Sequence, residues 1–115
     1  AKVKPSDVDV LQSYENFTGG VVMALAEHGF FAPEEANEFM RLENLVAPGG
    51  RLPLNTSGGN LAECYMHGFE LVLEAVRQVR GQSSAPAARR DLSLVIGGPL
   101  VSPVSSLVVG SEAAL

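Results

Sequence analysis

The chain has 115 residues, which is the size of one domain. Apolar residues make up 46% of it and charged residues 18%, a composition that favours a folded core over a disordered chain. Eight Lys and Arg residues against thirteen Asp and Glu residues give a net charge of −5. We therefore expect neither nucleic acid nor an acidic lipid surface as a partner.

The only cysteine, Cys64, cannot form an internal disulfide, and this favours a reducing, cytoplasmic location. No apolar run approaches the roughly 18 residues of a membrane span. The first ten residues do not have the apolar stretch of a signal peptide. The absence of an initial Met indicates a processed chain or a piece of a longer one.

One Cys and two separated His residues do not have the spacing of a zinc site, so we expect no metal.

The first half of the chain predicts a strand and two helices. Residues 7–12 begin with acid and valine in alternation (Asp7, Val8, Asp9, Val10), which predicts a strand. Apolar residues then recur every three or four positions, which predicts a helix that begins at Asn16 or Thr18 and stops before Gly29. Residues 33–41 open with Pro-Glu-Glu and predict a short helix.

A long helix is predicted over residues 60–80, after a short strand at 52–55 and a turn at 56–59. Asn60 and Glu63 have the spacing of a capping box, and Gly81 is placed to end the helix. One apolar stripe is predicted to face the core. It consists of Leu61, Tyr65, Phe69, Val72, Val76 and Val79.

The last third predicts a polar loop at 82–90 and two strands at 92–96 and 106–109. Strands that alternate with helices indicate an α/β fold with a mainly parallel, mixed sheet. The last two strands are adjacent in sequence and predict an antiparallel pair that closes the sheet.

Three motifs resemble the C-terminal domain of the thiolase superfamily, in the family's order and rough spacing. Residues 14–17 (Tyr-Glu-Asn-Phe) resemble its Asn-Glu-Ala-Phe turn. Residues 53–61, before a helix that ends in Val-Arg-Gln-Val-Arg-Gly, resemble its strand, Gly-Gly turn and helix start. Residues 96–99 (Ile-Gly-Gly-Pro) resemble its Cys-x-Gly-Gly turn. The resemblance implies an incomplete thiolase-like C-terminal domain over 1–115, without the N-terminal half.

The departures from the family pattern change the implied reaction. Tyr65 stands where thiolases have a histidine, Tyr14 where they have an asparagine, and Val95 where they have the late cysteine. The chain is most similar to lipid-transfer-protein or sterol-carrier-like thiolases, and within them to the retro-aldolases of steroid side-chain degradation. This resemblance implies an acyl-CoA substrate, no covalently bound cofactor, a homodimer, and a small zinc-ribbon and OB-fold partner protein.

Retro-aldol cleavage needs a base, an acid and donors to the thioester oxygen. The resemblance makes Tyr14 and Tyr65 the candidate acid/base pair, with His67 assisting. Because residues at i and i+2 do not share a helix face, pairing Tyr65 with His67 requires an irregular helix start. The simpler interpretation of Tyr65 is packing in the apolar stripe, and Cys64 is more simply a small helix residue than a nucleophile.

Two glycine turns are candidate substrate and CoA contacts. They comprise Ser57, Gly58 and Gly59 before the long helix, and Gly97 and Gly98 after a late strand. Backbone amides at a helix start can bind an anion, and glycine allows substrate to approach the backbone closely.

Two other functions remain open from the sequence. One is acyl transfer by a thiolase that uses other residues, which the loss of the usual His and Cys disfavours. The other is a non-catalytic assembly or lipid-binding module.

Overall fold

The computed structural model describes residues 2–114. Its helices and strands follow in chain order, with 3-10 turns at Pro5–Asp7 and Pro33–Glu35: β1 Val10–Ser13, α1 Thr18–Glu27, α2 Ala36–Phe39, α3 Leu42–Leu45, α4 Gly59–Ala62, α5 Phe69–Val79, β2 Leu92–Gly97 and β3 Ser105–Gly110. Within the described residues, every helix is too short or too polar to cross a bilayer.

The three strands form one mixed sheet in the order β1-β2-β3. β1 pairs with β2 in parallel, and β2 pairs with β3 antiparallel. This confirms the α/β fold and the closing antiparallel pair. The predicted strand at 52–55 is reduced to a single parallel bridge between Leu54 and Leu11.

Helices cover both faces of the sheet. One face packs against α1 and the segment that follows it, in a core that includes Leu11, Leu25 and Ile96. The opposite face packs against α5, through Leu71 and Val95. Neighbouring residues of a strand point to opposite faces, so β1 and β2, which are covered on both sides, are buried over nearly their whole length, whereas β3 is exposed from Ser105 to Leu107.

The first strand differs from its prediction. The acidic end of the predicted strand 7–12 begins in the 3-10 turn Pro5–Asp7, and the strand itself runs from Val10 to Ser13. All four strand residues are buried, so the alternation of acidic and apolar residues does not correspond to one solvent-exposed face and one buried face. Asp9 is buried because its carboxylate accepts hydrogen bonds from the backbone amides of Asp91 and Leu92.

The continuous helix predicted over 60–80 is wrong. The chain forms the short helix α4, leaves helical geometry over residues 63–68, and begins α5 after Gly68, whose φ is +91°. The capping box is also absent. Asn60 donates its side-chain amide to Glu15, and Glu63 pairs with Arg77 instead.

The predicted apolar stripe does not continue across this break. Leu61 is 92% exposed, and Tyr65 and Phe69 are exposed as well. The buried side of α5 carries three polar residues among its apolar ones, namely Glu70, Glu74 and Gln78, together with Leu71 and Ala75. The apolar residues therefore keep helical spacing through a segment that is not helical, and the predicted stripe does not coincide with the buried face of α5.

The glycines after the two longest helices end them as predicted. Gly29 has φ +80° and Gly81 has φ +67°. In each case the next residue donates its amide back into the last helical turn, from Phe30 to Leu25 O and from Gln82 to Arg77 O. Such bonds satisfy carbonyls that the helix end would otherwise leave open.

Candidate active site

The candidate site lies at one edge of the sheet, where β1 and β2 end side by side. Because the two strands are parallel, the turns that follow them leave the sheet at the same edge. Tyr14 follows β1 directly, and its amide donates to the carbonyl of Ile96 at 2.9 Å. This bond holds the Tyr14 turn next to the turn that contains Gly97 and Gly98.

Three of the predicted site residues meet at this edge. The hydroxyls of Tyr14 and Tyr65 are 3.3 Å apart, although the two residues are 51 positions apart in sequence. The Tyr65 hydroxyl lies 3.5 Å from Nδ1 of His67, at the outer limit of hydrogen bonding. The rings of Tyr14 and His67 are stacked with centroids 6.0 Å apart. We call Tyr14, Tyr65 and His67 the phenol–imidazole cluster.

The break before α5 makes this cluster possible. His67 has a φ of +58° and Gly68 a φ of +91°, so the chain turns sharply and brings Tyr65 and His67 to the same side. A Cβ on Gly68 would lie 3.0 Å from the ring of Tyr14, which is tighter than ordinary contact. Glycine therefore lets the loop lie against Tyr14, and the irregular helix start that the pairing requires is present.

Two asparagines that the sequence analysis did not single out fix the Tyr14 turn. Asn55 accepts from the amide of Ser13 at 2.7 Å and donates to its carbonyl at 2.9 Å. Asn16 donates to the carbonyl of Pro99 at 2.9 Å, which ties the Tyr14 turn to the Gly97–Gly98 turn. Asn16 lies inside the Tyr-Glu-Asn-Phe motif, and that motif was the signal that could have identified it.

The Tyr14 phenol holds its proton strongly. The hydrogen bond with Tyr65, partial desolvation and the nearby charges of Tyr65, Glu70 and Glu15 raise the pKa of Tyr14 from 10.0 to about 12. At neutral pH Tyr14 is therefore a neutral hydrogen-bond donor.

A cleft of about 590 Å³ opens beside the cluster. Tyr14 and His67 line it together with the predicted contacts Gly97 and Gly98, and Val95 lies at its base. Apolar side chains of Phe69, Val72, Val101 and Leu107 form much of the remaining wall. The arrangement combines an apolar surface for a hydrophobic group with phenols and an imidazole for proton transfer.

The Ser57–Gly59 turn is placed differently. The carboxylate of Glu15 accepts a hydrogen bond from the backbone amide of Asn60, directly after Gly59, and further bonds from the Asn60 and Asn55 side chains. A carboxylate of the chain itself thus occupies the start of α4, and neither Ser57, Gly58 nor Gly59 lines the cleft. Their contact with substrate stays a prediction.

A second cavity, of about 460 Å³, lies apart from the cluster. Asp9, Arg51 and Arg89 line it, and none of the predicted site residues does. Arg89 already pairs with Asp9 at 2.9 Å, and Arg51 stacks over the ring of Phe39. These contacts support the local structure around the start of β1.

Comparison with curated proteins gives relatives of more than three times this length. The chain is 42% identical over 106 residues to 17-hydroxy-3-oxo-4-pregnene-20-carboxyl-CoA lyase of Mycobacterium tuberculosis, a match that covers 92% of the chain and 27% of the relative. It is 43% identical over 110 residues to a steroid side-chain-cleaving aldolase of Thermomonospora curvata, covering 96% of the chain and 28% of the relative. The chain thus spans just over a quarter of each curated relative.

A solved structure and a family match agree with these relatives. The structure of the Ltp2-ChsH2(DUF35) aldolase superposes with a TM-score of 0.87 at 41% identity, over 96% of this chain and 28% of that chain. Residues 1–110 match the family described as thiolase C-terminal domain-like. With this match over nearly its whole length and the mixed α/β sheet that carries the three motifs, the chain belongs to the thiolase C-terminal domain-like family.

Proposed function

We propose that this chain is the C-terminal part of an acyl-CoA aldolase that cleaves the side chain of a steroid by a retro-aldol reaction. The curated relatives are named as a lyase for a 17-hydroxy steroid carboxyl-CoA and as a steroid side-chain-cleaving aldolase. The substrate class carried over to this chain is therefore a 3-hydroxyacyl-CoA whose hydroxyl-bearing carbon belongs to a bulky apolar group.

The observation that carries the proposal is the 3.3 Å contact between the hydroxyls of Tyr14 and Tyr65 beside an apolar cleft. Tyr65 does not itself line the cleft, but its side chain is 68% exposed and its hydroxyl contacts that of Tyr14, which does line it. Two phenols and an imidazole in contact form a set of groups that can take up one proton and deliver another without a metal ligand.

The reaction requires one proton to leave an oxygen and one to arrive at a carbon. We assign the first to Tyr65, which takes the proton of the substrate hydroxyl as its own proton passes to Nδ1 of His67. The bond between the hydroxyl-bearing carbon and the α-carbon then breaks, leaving a ketone and a thioester enolate that receives the bond's electron pair.

We assign the second proton to Tyr14. With a pKa of about 12, Tyr14 is protonated at neutral pH, and although the raised value makes it a weaker acid, it can still donate to the far more basic enolate carbon. Tyr65 then passes its proton to Tyr14 and takes back the proton held by His67, which returns the cluster to its starting state. Gly97 and Gly98 line the same cleft, and we assign a backbone amide of this turn to stabilise the negative charge on the thioester oxygen.

One side chain argues against acyl transfer as the main activity. Val95 stands where the thiolase resemblance places a late cysteine, and it lies in the cleft with only 4% of its surface exposed. A valine cannot take up or deliver a proton. The acid/base residue that acyl transfer would use at this point is therefore replaced by an apolar one.

The remainder of the active assembly lies outside this chain. Because the chain spans about a quarter of its relatives, we propose that a preceding thiolase N-terminal half supplies much of the CoA pocket. The structural neighbour is named for two components, Ltp2 and ChsH2(DUF35), which supports a second, smaller partner chain. We also retain a homodimer as part of this proposal.

The direct test is removal of one hydroxyl from the cluster in the full-length protein. Tyr65→Phe keeps the ring, and we expect it to lower kcat for cleavage of a 3-hydroxyacyl-CoA of a steroid by at least about 100-fold. Ser111→Ala is the matched control, since it removes a hydroxyl that bonds to Asp91 and lies outside the cleft. Cleavage by Tyr65→Phe at the rate of the control would contradict the proposed role.

A further inference from the structure

Glu70 is a buried carboxylate that the proposed reaction does not use. It lies in the first turn of α5, and no part of it is exposed to solvent. A buried carboxylate is unfavourable unless hydrogen-bond donors surround it. Its donors are backbone amides: that of Gly68 lies 3.1 Å from both carboxylate oxygens, and that of Met66 lies 3.2 Å from one.

The two amides bracket His67. Between them the chain takes a φ of +58°, a region that residues other than glycine seldom occupy. Such a conformation persists only where the surrounding structure holds it. The carboxylate of Glu70 binds the chain immediately before and immediately after His67, and so it holds the turn in this shape.

The same turn sets the position of Tyr65. The ring of Tyr65 lies 5.5 Å from that of His67, and its hydroxyl reaches Tyr14 across the cluster. Within residues 64–69 the backbone bonds are short-range ones, from the amide of Met66 to the carbonyl of Cys64 at 3.1 Å and from the amide of Phe69 to the carbonyl of Met66 at 3.2 Å. If the turn relaxed, Tyr65 and His67 would move away from Tyr14, and their reacting atoms would be too far apart for proton transfer.

Glu74 provides an internal comparison, one helical turn further along α5. It is also buried, with 1% of its surface exposed. Its carboxylate accepts from the hydroxyls of Thr56 and Ser83, each at 2.6 Å, and from Gln78 at 3.1 Å. None of these three partners belongs to the segment 63–68. A longer contact of 3.8 Å joins Glu74 to Arg77, which pairs with Glu63 at the start of that segment, but no hydrogen bond of Glu74 reaches the turn around His67.

We propose that Glu70 is the positioning residue of the phenol–imidazole cluster, whose buried carboxylate clamps the amides of Met66 and Gly68 and so fixes Tyr65 and His67 against Tyr14. The part of this inference that concerns catalysis rests on the proposed function. The part that concerns the shape of the turn does not depend on it.

The test compares Glu70→Gln with Glu74→Gln in the full-length protein. Glu70→Gln keeps the size of the side chain but places an amide group against two backbone donors. We expect it to lower kcat by about 10- to 100-fold with less than about threefold change in KM, because substrate binding is retained while the reacting groups are misplaced. We expect Glu74→Gln to change kcat by less than about threefold.

Amide hydrogen exchange gives a second measurement that is independent of activity. We expect exchange across residues 63–69 to be at least about tenfold faster in Glu70→Gln and unchanged in Glu74→Gln. Equal exchange in this segment for Glu70→Gln and the wild type would overturn the inference, and so would an equal acceleration in the two variants. If the wild type does not cleave the thioester, the proposed function fails while the exchange result still decides the positioning role.

If Glu70→Gln does not fold, amide hydrogen exchange in the wild type alone still tests the inference. The amide of Gly68 donates to the carboxylate of Glu70, so in the native protein it should exchange at least about tenfold more slowly than an unstructured glycine amide. Exchange of Gly68 at the unstructured rate would contradict the inference.

Discussion

The two glycine turns of this domain begin from similar sequences and end in different environments. In the first, Gly59 brings the chain against the carboxylate of Glu15, which occupies the amide of Asn60. In the second, Gly97 and Gly98 lie in the wall of the cleft beside Tyr14 and His67. A Gly-Gly pair therefore does not by itself define a binding site, because a carboxylate of the chain lies against the first turn, whereas the second turn borders the cleft.

This difference predicts that the first turn matters most for stability. Gly59 has a φ of +62°, and a Cβ there would meet the Glu15 carboxylate inside contact distance. We expect Gly59→Ala to lower the free energy of unfolding by about 2–4 kcal/mol, because strain in the left-handed region adds to overpacking. Urea denaturation measures this loss. A loss below about 1 kcal/mol would mean that the Glu15 contact is not tight.

The carboxylate that fills the first turn can be tested directly. Glu15→Gln retains the shape of the side chain but weakens its bonds to the amide of Asn60 and to the side chains of Asn55 and Asn60. We expect a loss of about 1–3 kcal/mol in unfolding free energy, since hydrogen bonds to a charged group are stronger than neutral ones. The control is Glu27→Gln, on the exposed side of α1, for which we expect a change within about 0.5 kcal/mol.

The second turn should be less sensitive in stability and more sensitive in activity. Gly98 has a φ of +70°, and a Cβ there would lie 2.6 Å from a methyl of Val101, an exposed side chain that can move aside. We expect Gly98→Ala to cost about 1–2 kcal/mol in unfolding free energy. We also expect Gly98→Ala to lower kcat more than Gly59→Ala does, when the kcat of each variant is calculated per folded molecule. The reverse order would contradict the assignment of the cleft to the second turn.

The fold was largely predictable because its signals are local. The apolar runs at 92–96 and 106–109 are strands, and the glycines at 29 and 81 end their helices. The long helix was not predictable from its spacing, since the apolar residues from Leu61 to Val79 keep helical intervals across a segment that is not helical.

The tyrosine pair could be predicted, whereas the burial of three acidic side chains could not. Tyr14 and Tyr65 each stand at a motif position, and sequence comparison by motif was enough to suggest that they meet. Glu15, Glu70 and Glu74 look like solvent-facing acids in a sequence, because charged residues are seldom fully buried. Glu15, which is partly buried, and Glu74 bind groups from other segments, which only the folded chain brings to them. Glu70 binds the nearby amides of Met66 and Gly68, in a turn whose left-handed backbone the residue spacing does not reveal.

The coupling of the two phenols also predicts how stability depends on pH. Tyr14 has a pKa of about 12 in the folded chain and about 10 when unfolded, chiefly because of its hydrogen bond with Tyr65. Between these values the unfolded chain loses this proton while the folded chain keeps it. We therefore expect stability to be unaffected by Tyr14 below pH 10 and to fall as the pH rises from about 10 towards 12.

The most direct measurement of the central claim is the titration of Tyr14 by NMR in the full-length protein, with the signal assigned by its loss in Tyr14→Phe. Contact between the two hydroxyls predicts a pKa of about 12 in the wild type. It also predicts a fall towards about 10 when Tyr65→Phe removes the partner hydroxyl. A Tyr14 pKa near 10 in the wild type, or one that Tyr65→Phe leaves unchanged, would show that the two phenols do not share a hydrogen bond and would contradict their joint role.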